Sequence, residues 1–374
     1  MIYLDYSANT PTDPAVLDRF CRTEREFIGN PNSMHFLGKA ALLEMNRVTC
    51  RIAALLEVDP SEIIYTSCAS ESNNTAIKGI ARLSRHDGKH IISTPLEHSS
   101  VSGCLTFLQE QGYEIDLLSI KRDGTVDLEQ FRELLRGDTI LVSVCAVDSE
   151  LGVIQPIAEI ASILRFFPKC RLHVDATQAV GKTSLNFDGV DTLSFAPHKF
   201  YGLNGSGMLF KRKGLAIEPL IHGGTSTTIY RSGTPALALA SAAEEALSLA
   251  LSHQAEWTKH VSALNRLLRD ELSRYDGVRI NSPENAVPHI LNISVEGIKA
   301  NVFQRELDKE GICVSVKSAC STDGAPSRAV MAISHDRRNA LSSWRISLSH
   351  LTTAENLSDF LEAFDICRCR ILGL

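Results

Sequence analysis

From about residue 60 to residue 215 the chain alternates between short β-rich runs and amphipathic helical segments. The runs EIIYT, HIIST, YEIDLLSI, TILVSVCAV, RLHVDA, DTLSFA and SGMLFK are separated by stretches such as DLEQFRELLRG and IAEIASILRFF. Such alternation predicts an α/β fold with a mainly parallel sheet covered by helices. Helix periodicity then runs from Pro235 to Tyr275, far beyond one ordinary helix, with Pro235 suited to the first turn. This long segment is expected to join two domains. Strand patterns at GVRIN, HILNISV, GICVSV and WRISLS, with helices between them, predict a smaller α+β domain. The expected division is a large domain over residues 15–250 and a small one formed by 1–14 with 251–374.

A chain of 374 residues, 44% hydrophobic and 22% charged, can bury one large core and a smaller one. Its formal net charge of -6 provides no field to attract nucleic acid or an anionic membrane, so small-molecule chemistry is favoured over either partner. The start, MIYLDYSANT, has no basic segment followed by an apolar run, and no stretch approaches the roughly 20 apolar residues of a membrane span. A cytoplasmic location is expected. The ten cysteines form no paired Cys-x-x-Cys framework, so neither a disulfide scaffold nor a metal site is expected. Cys367 and Cys369 fall in a helical pattern, which predicts one buried and one half-exposed thiol.

Functional groups of a parallel sheet gather at the C-terminal ends of its strands. There the sequence places Glu97 and His98 after HIIST, Asp175 and Gln178 after RLHV, and His198 and Lys199 after DTLSF. Ser67-Cys68-Ala69-Ser70 leads into a helix expected to open at Glu71, and the free N–H groups of such a terminus suit a phosphate ester. Taken singly, Lys199 reads more readily as a solvated lysine, while Asp175 reads equally as a turn cap and His98 as a helix cap. Together, a lysine for an imine, an aspartate for a pyridinium nitrogen and a phosphate cradle describe a site for pyridoxal 5'-phosphate.

The stretches GNPNSMHFLGKAA, YTSCASESNNTAI, EHSSV, ELGVIQPI, HVDATQAVGK, HKFYG, YRSGTP and SACS occur in an order that resembles the cysteine desulfurases, class-V members of the fold-type I pyridoxal-phosphate enzymes. The resemblance covers nearly the whole chain. It implies Lys199 as the Schiff-base lysine, Asp175 against the pyridine nitrogen, Gln178 near the ring hydroxyl and His98 stacked on the ring. It also implies that Ser70 and His198 hold the phosphate, with Thr234 reaching it from the partner subunit of a homodimer. Asp148-Ser149 stands where the family has paired asparagines, which puts Ser149 at a cofactor-contact position, and Ala196 replaces a serine.

Cys320 lies among small and polar residues, VKSACSTDGAPS, with Lys317 nearby to favour thiolate. By resemblance it is the nucleophile that takes sulfur from L-cysteine as a persulfide, leaving L-alanine. An acceptor or scaffold protein would then receive the sulfur, as for iron–sulfur cluster biosynthesis. Arg345, between serines on one face of WRISLS, has the guanidinium fork to bind a substrate carboxylate; a solvated edge-strand arginine fits the pattern equally, and the resemblance favours the former. Asn32 is a further substrate-binding candidate. The alternative readings are a selenocysteine lyase or C–S lyase, or a non-catalytic scaffold with a vestigial cofactor site.

Overall fold

The computed structural model describes residues 1–184, 186–317 and 325–373. Its strands are, in chain order, β1 (Ile2–Tyr3), β2 (Ile63–Thr66), β3 (His90–Ser93), β4 (Glu114–Leu117), β5 (Thr139–Cys145) and β6 (Arg171–Asp175). There follow β7 (Thr192–Phe195), β8 (Gly207–Lys211), β9 (Val278–Ile280), β10 (Ile290–Val295), β11 (Ile312–Cys313) and β12 (Ser343–Ser347). Seven of these form one sheet in the order β2-β8-β7-β6-β5-β3-β4. Pairing is parallel from β4 through β7, and β8 runs antiparallel to both its neighbours. Every residue of β3, β5, β7 and β8 is buried, as expected for strands covered on both faces. The expected α/β architecture is therefore the one found.

The parallel strands all end on one edge, so the residues that follow β3, β5, β6 and β7 converge there. β8 starts at the same edge, and Gly207 lets it pass close to the loop after β2. A Cβ at Gly207 would sit 2.4 Å from the Cys68 carbonyl carbon, inside the van der Waals limit. The helix after this loop, Ala69–Leu83, packs an apolar stripe of Ala76, Ile77 and Ile80 against the sheet. It starts two residues before the expected Glu71, with Cys68 as an extended N-cap.

Helix Leu237–Leu272 has 36 residues and is roughly 54 Å long at about 1.5 Å per residue. Its first half sends Leu237, Ala243 and Leu247 into the core beside the large sheet. Its second half sends Val261, Leu264 and Leu268 into a separate core with Leu4, Trp344 and Phe360. Pro235 is not in the first turn as expected. Ala236 is the N-cap, with non-helical φ -88° and ψ 76°, and the helix begins only after it. The second core lies under the antiparallel sheet β12-β10-β9. The N-terminus joins this part of the molecule: β1 pairs in parallel with β11, and Asp5 bridges to Ser347. Cys367 is buried and Cys369 half-buried, as the helical pattern predicts. Among the described residues, no helix is long and apolar enough to cross a membrane.

Candidate active site

A cavity of about 280 Å³ opens at the C-terminal edge of the parallel strands. Eight of the residues singled out from the sequence line it: Ser70, His98, Ser149, Asp175, Gln178, His198, Lys199 and Arg345. Asn32 and Thr234 lie outside the lining; both are exposed, and Asn32 donates to the Ser226 hydroxyl at 3.1 Å. Cys320 lies outside the described residues.

Lys199 follows β7 in a single 3-10 turn, Pro197–Lys199. Its Nζ donates to the carbonyls of Ser7 and Ala8 at 2.9 and 2.6 Å. The N-terminal segment thus holds the amine at the cavity wall. His198 beside it is kept neutral at physiological pH: burial first, then the charges of Lys199 and Lys182, push it down to about 4.

Asp175 ends β6 and is buried. One oxygen accepts the Thr177 N–H at 3.0 Å, so the turn-cap reading of this residue holds in part. The other accepts from Asn73 Nδ2 at 2.8 Å. Asn73 comes from the helix after β2, and its carbonyl oxygen takes a hydrogen bond from Ser194 and faces His173 Nε2 at 3.0 Å. The same Asn73 amide also donates to Ser100 at 2.9 Å.

His98 is the N-cap of helix Ser99–Glu110 and a wall of the cavity as well. Its Nδ1 accepts the Ser100 N–H at 3.2 Å and faces the Ser100 hydroxyl at 2.9 Å. A backbone N–H only donates, so Nδ1 carries no proton and the neutral ring is protonated on Nε2. Desolvation lowers its basicity, partly opposed by Asp175.

Arg345, on β12, is fully buried and not a solvated edge residue: its side chain is 2% exposed. Nη2 meets Asp5 at 2.9 Å and Nη1 donates to the Ser149 carbonyl at 2.7 Å, while Nε has no partner among the described residues. The turn that presents Ser149 is held by Asp148, whose buried carboxylate accepts the N–H groups of Glu150 and Leu151. Burial, then the Glu150 charge, raises Asp148 to about 7.

Several contributors had no evident mark in the sequence. Asn73 and Asp5 act on residues more than a hundred positions away. Thr177 lines the cavity with a buried hydroxyl that has no partner among the described residues, as does Ser7. For Asn73 a signal exists, since an amide stands in the stripe of a helix otherwise filled by Ala76 and Ile80. Among the described residues no group of three or more His, Cys, Asp or Glu is arranged to hold a metal ion.

The aminotransferase class-V profile matches residues 2–360. The chain belongs to the class-V aminotransferase family. Its class-V relatives include the NifS/IcsS protein homolog of Lactobacillus delbrueckii subsp. bulgaricus, 38% identical over 98% of this chain and 96% of the relative. The cysteine desulfurase IscS of Dictyoglomus turgidum is 37% identical over 97% of this chain and 93% of its own. Among solved structures, a NifS-like protein superposes with a TM-score of 0.91 at 35% identity, covering 98% of each chain. SspA, solved in complex with cysteine, superposes with a TM-score of 0.82 at 30% identity, covering 94% of this chain and 100% of SspA. The resemblance to the cysteine desulfurases and the expected architecture are both borne out by these class-V relatives.

Proposed function

We propose that this chain is a pyridoxal-phosphate-dependent cysteine desulfurase that converts L-cysteine to L-alanine and holds the sulfur on Cys320. The observation that carries the reading is one cavity in which Lys199, Asp175, His98, His198 and Arg345 converge, in a chain whose relatives include proteins named cysteine desulfurase.

The residues present fit the cofactor. Helix Ala69–Leu83 has no side-chain cap at its N-terminus, which leaves first-turn N–H groups and the positive dipole end for a phosphate, beside Ser70 and His198. The buried hydroxyls of Ser7 and Thr177 lack partners among the described residues and border the same space. The Asp175 carboxylate suits a pyridinium nitrogen, the His98 ring offers a face for stacking, and Gln178 and Ser149 are further contacts. Lys199 would hold the aldehyde. Bound pyridoxal phosphate supplies an electron sink for bond changes at an amino acid's α-carbon.

The chain's own groups divide the remaining work. Arg345 holds the substrate carboxylate, with Asn32 as a further contact proposed for the assembled enzyme. Lys199 Nζ moves the α-proton, and His98 offers Nε2–H for proton transfer at the substrate. The Cys320 thiolate attacks the substrate sulfur: the S–S bond forms, the Cβ–S bond breaks with its electron pair left on carbon, and that carbon takes a proton to become alanine.

A homodimer is supported by the exposed apolar side chains of Ile28, Met34, Phe36 and Leu43, 71–82% exposed and close in sequence. Thr234 is exposed on one subunit and is proposed to complete the phosphate site of the other. The division into 15–250 and 1–14 with 251–374 is supported by the second core, whose residues all come from 1–14 and 251–374. All nine described cysteines are free thiols, which suits the cytoplasm. A sulfur acceptor or scaffold protein, as in iron–sulfur cluster biosynthesis, is the expected partner.

Mass mapping after incubation with L-cysteine tests the reading. One added sulfur atom on Cys320, and loss of sulfur transfer in Cys320→Ala, is expected. Unchanged sulfide release by Cys320→Ala would indicate direct elimination by a C–S lyase instead.

A further inference from the structure

Gln178 and Lys182 stand four residues apart after β6, and the amide between them has a fixed direction. Lys182 Nζ lies 2.6 Å from Gln178 Oε1, and Gln178 Nε2 lies 2.9 Å from the Ser7 carbonyl. The Ser7 carbonyl only accepts, so the amide turns Nε2 to Ser7 and presents Oε1 to the Lys182 amine. The Ser7 carbonyl also accepts from Lys199 Nζ at 2.9 Å. A chain of hydrogen-bonded groups therefore joins two amines: Lys182, Gln178, the Ser7 carbonyl and Lys199. Both lysines border a second cavity of about 20 Å³, with Tyr6, Ser7, Thr10 and His289.

Gln178 lines the main cavity, and its amide nitrogen carries two N–H groups. Ser7 takes one. With the amide oxygen held by Lys182, the group that Gln178 offers to the cavity is a donor. A lysine at a surface ordinarily carries its ammonium out to water. Lys182 instead ends on an amide, in the field of Lys199 and Arg345, with His198 and His289 also close enough to feel its charge. Desolvation first, then the Lys199 charge, push its amine down to about 7.

We propose that Lys182 is a positioning residue that locks the Gln178 amide so that an N–H group faces an anionic oxygen of the bound cofactor. This assignment rests on the pyridoxal-phosphate reading above and deepens it. Lys182 does not itself touch the cofactor; it acts through Gln178, and in its protonated form its charge strengthens the donor in front of it.

The test is a pH titration of the visible absorbance of the full-length protein loaded with pyridoxal phosphate. Lys182→Met removes the donor and its charge, so the midpoint is expected to rise by about one unit, a tenfold change in proton affinity. Lys182→Arg keeps both and is expected to return the midpoint close to that of the unmodified chain. A purely structural lysine would lower stability without moving the midpoint. If Lys182→Met is not recovered folded, Lys182→Gln carries the same upward expectation through loss of the ammonium. A visible band with the same midpoint in all variants overturns the assignment alone, whereas no visible band in the unmodified chain overturns the cofactor reading and the assignment with it.

Discussion

The Arg345 guanidinium meets the Asp5 carboxylate at 2.9 Å across 340 residues of sequence. The pair ties the N-terminal segment to β12, and Ser315 donates to the second Asp5 oxygen at 2.7 Å. Removing one partner leaves the other charge buried. Asp5→Ala is therefore expected to lower stability by about 3 kcal/mol in urea unfolding. Arg345→Lys keeps a charge but loses the fork, and is expected to raise KM for L-cysteine at least tenfold with a smaller change in kcat.

Asn73 serves Asp175, Ser194, His173 and Ser100 at once. Asn73→Ala strands several buried groups and is expected to cost about 2 kcal/mol of stability and to weaken cofactor retention. Equilibrium dialysis of pyridoxal phosphate checks the second effect. Asp175→Asn removes the charge and turns an amide NH2 toward one of the two donors that the carboxylate accepts, so a stability loss of about 1–3 kcal/mol and at least hundredfold lower desulfuration are expected.

His98→Ala is expected to lower kcat by 10²–10⁴-fold, about the range of a general acid–base residue. Ser100→Ala removes the hydroxyl that faces Nδ1 and is expected to act more mildly, because the Ser100 N–H still fixes the tautomer. Steady-state kinetics of the two variants side by side separates ring loss from ring orientation.

Glu97 is buried against Cys145, and burial raises its carboxyl to about 8 from an ordinary 4.5. Below pH 4.5 folded and unfolded chains both carry the proton, so this group's contribution to stability is fully present. As pH rises from 4.5 to 8 the unfolded chain ionises while the folded one resists, and the contribution is lost. Glu97→Gln removes this titration. The unmodified chain is expected to lose on the order of 5 kcal/mol relative to the variant across that window, at about 1.4 kcal/mol per pH unit. Unfolding curves at several pH values measure the difference.

Strand ends were the legible part of the site. The C-terminal ends of β3, β6 and β7 and the turns that follow carry His98, Asp175 and Lys199 because a parallel sheet brings those ends together, whatever the loops between them do. Asp5 and the Ser7 carbonyl act through contacts set by tertiary packing, which leave no local spacing to read, whereas Asn73 is marked only by its place in an apolar helix stripe. Pro235 misled for a related reason. Proline favours a first turn in general, but here Ala236 takes a non-helical conformation and the helix starts beyond it. Asn32 and Thr234 are absent from the lining of a single chain, and a second subunit is what the proposed dimer would add.

Borohydride reduction of the protein loaded with pyridoxal phosphate, followed by peptide mapping, tests the central claim most directly. A pyridoxyl label on Lys199, lost in Lys199→Ala, is the expected result. A label on Lys182 or another lysine, or no label, would contradict the assignment of this cavity.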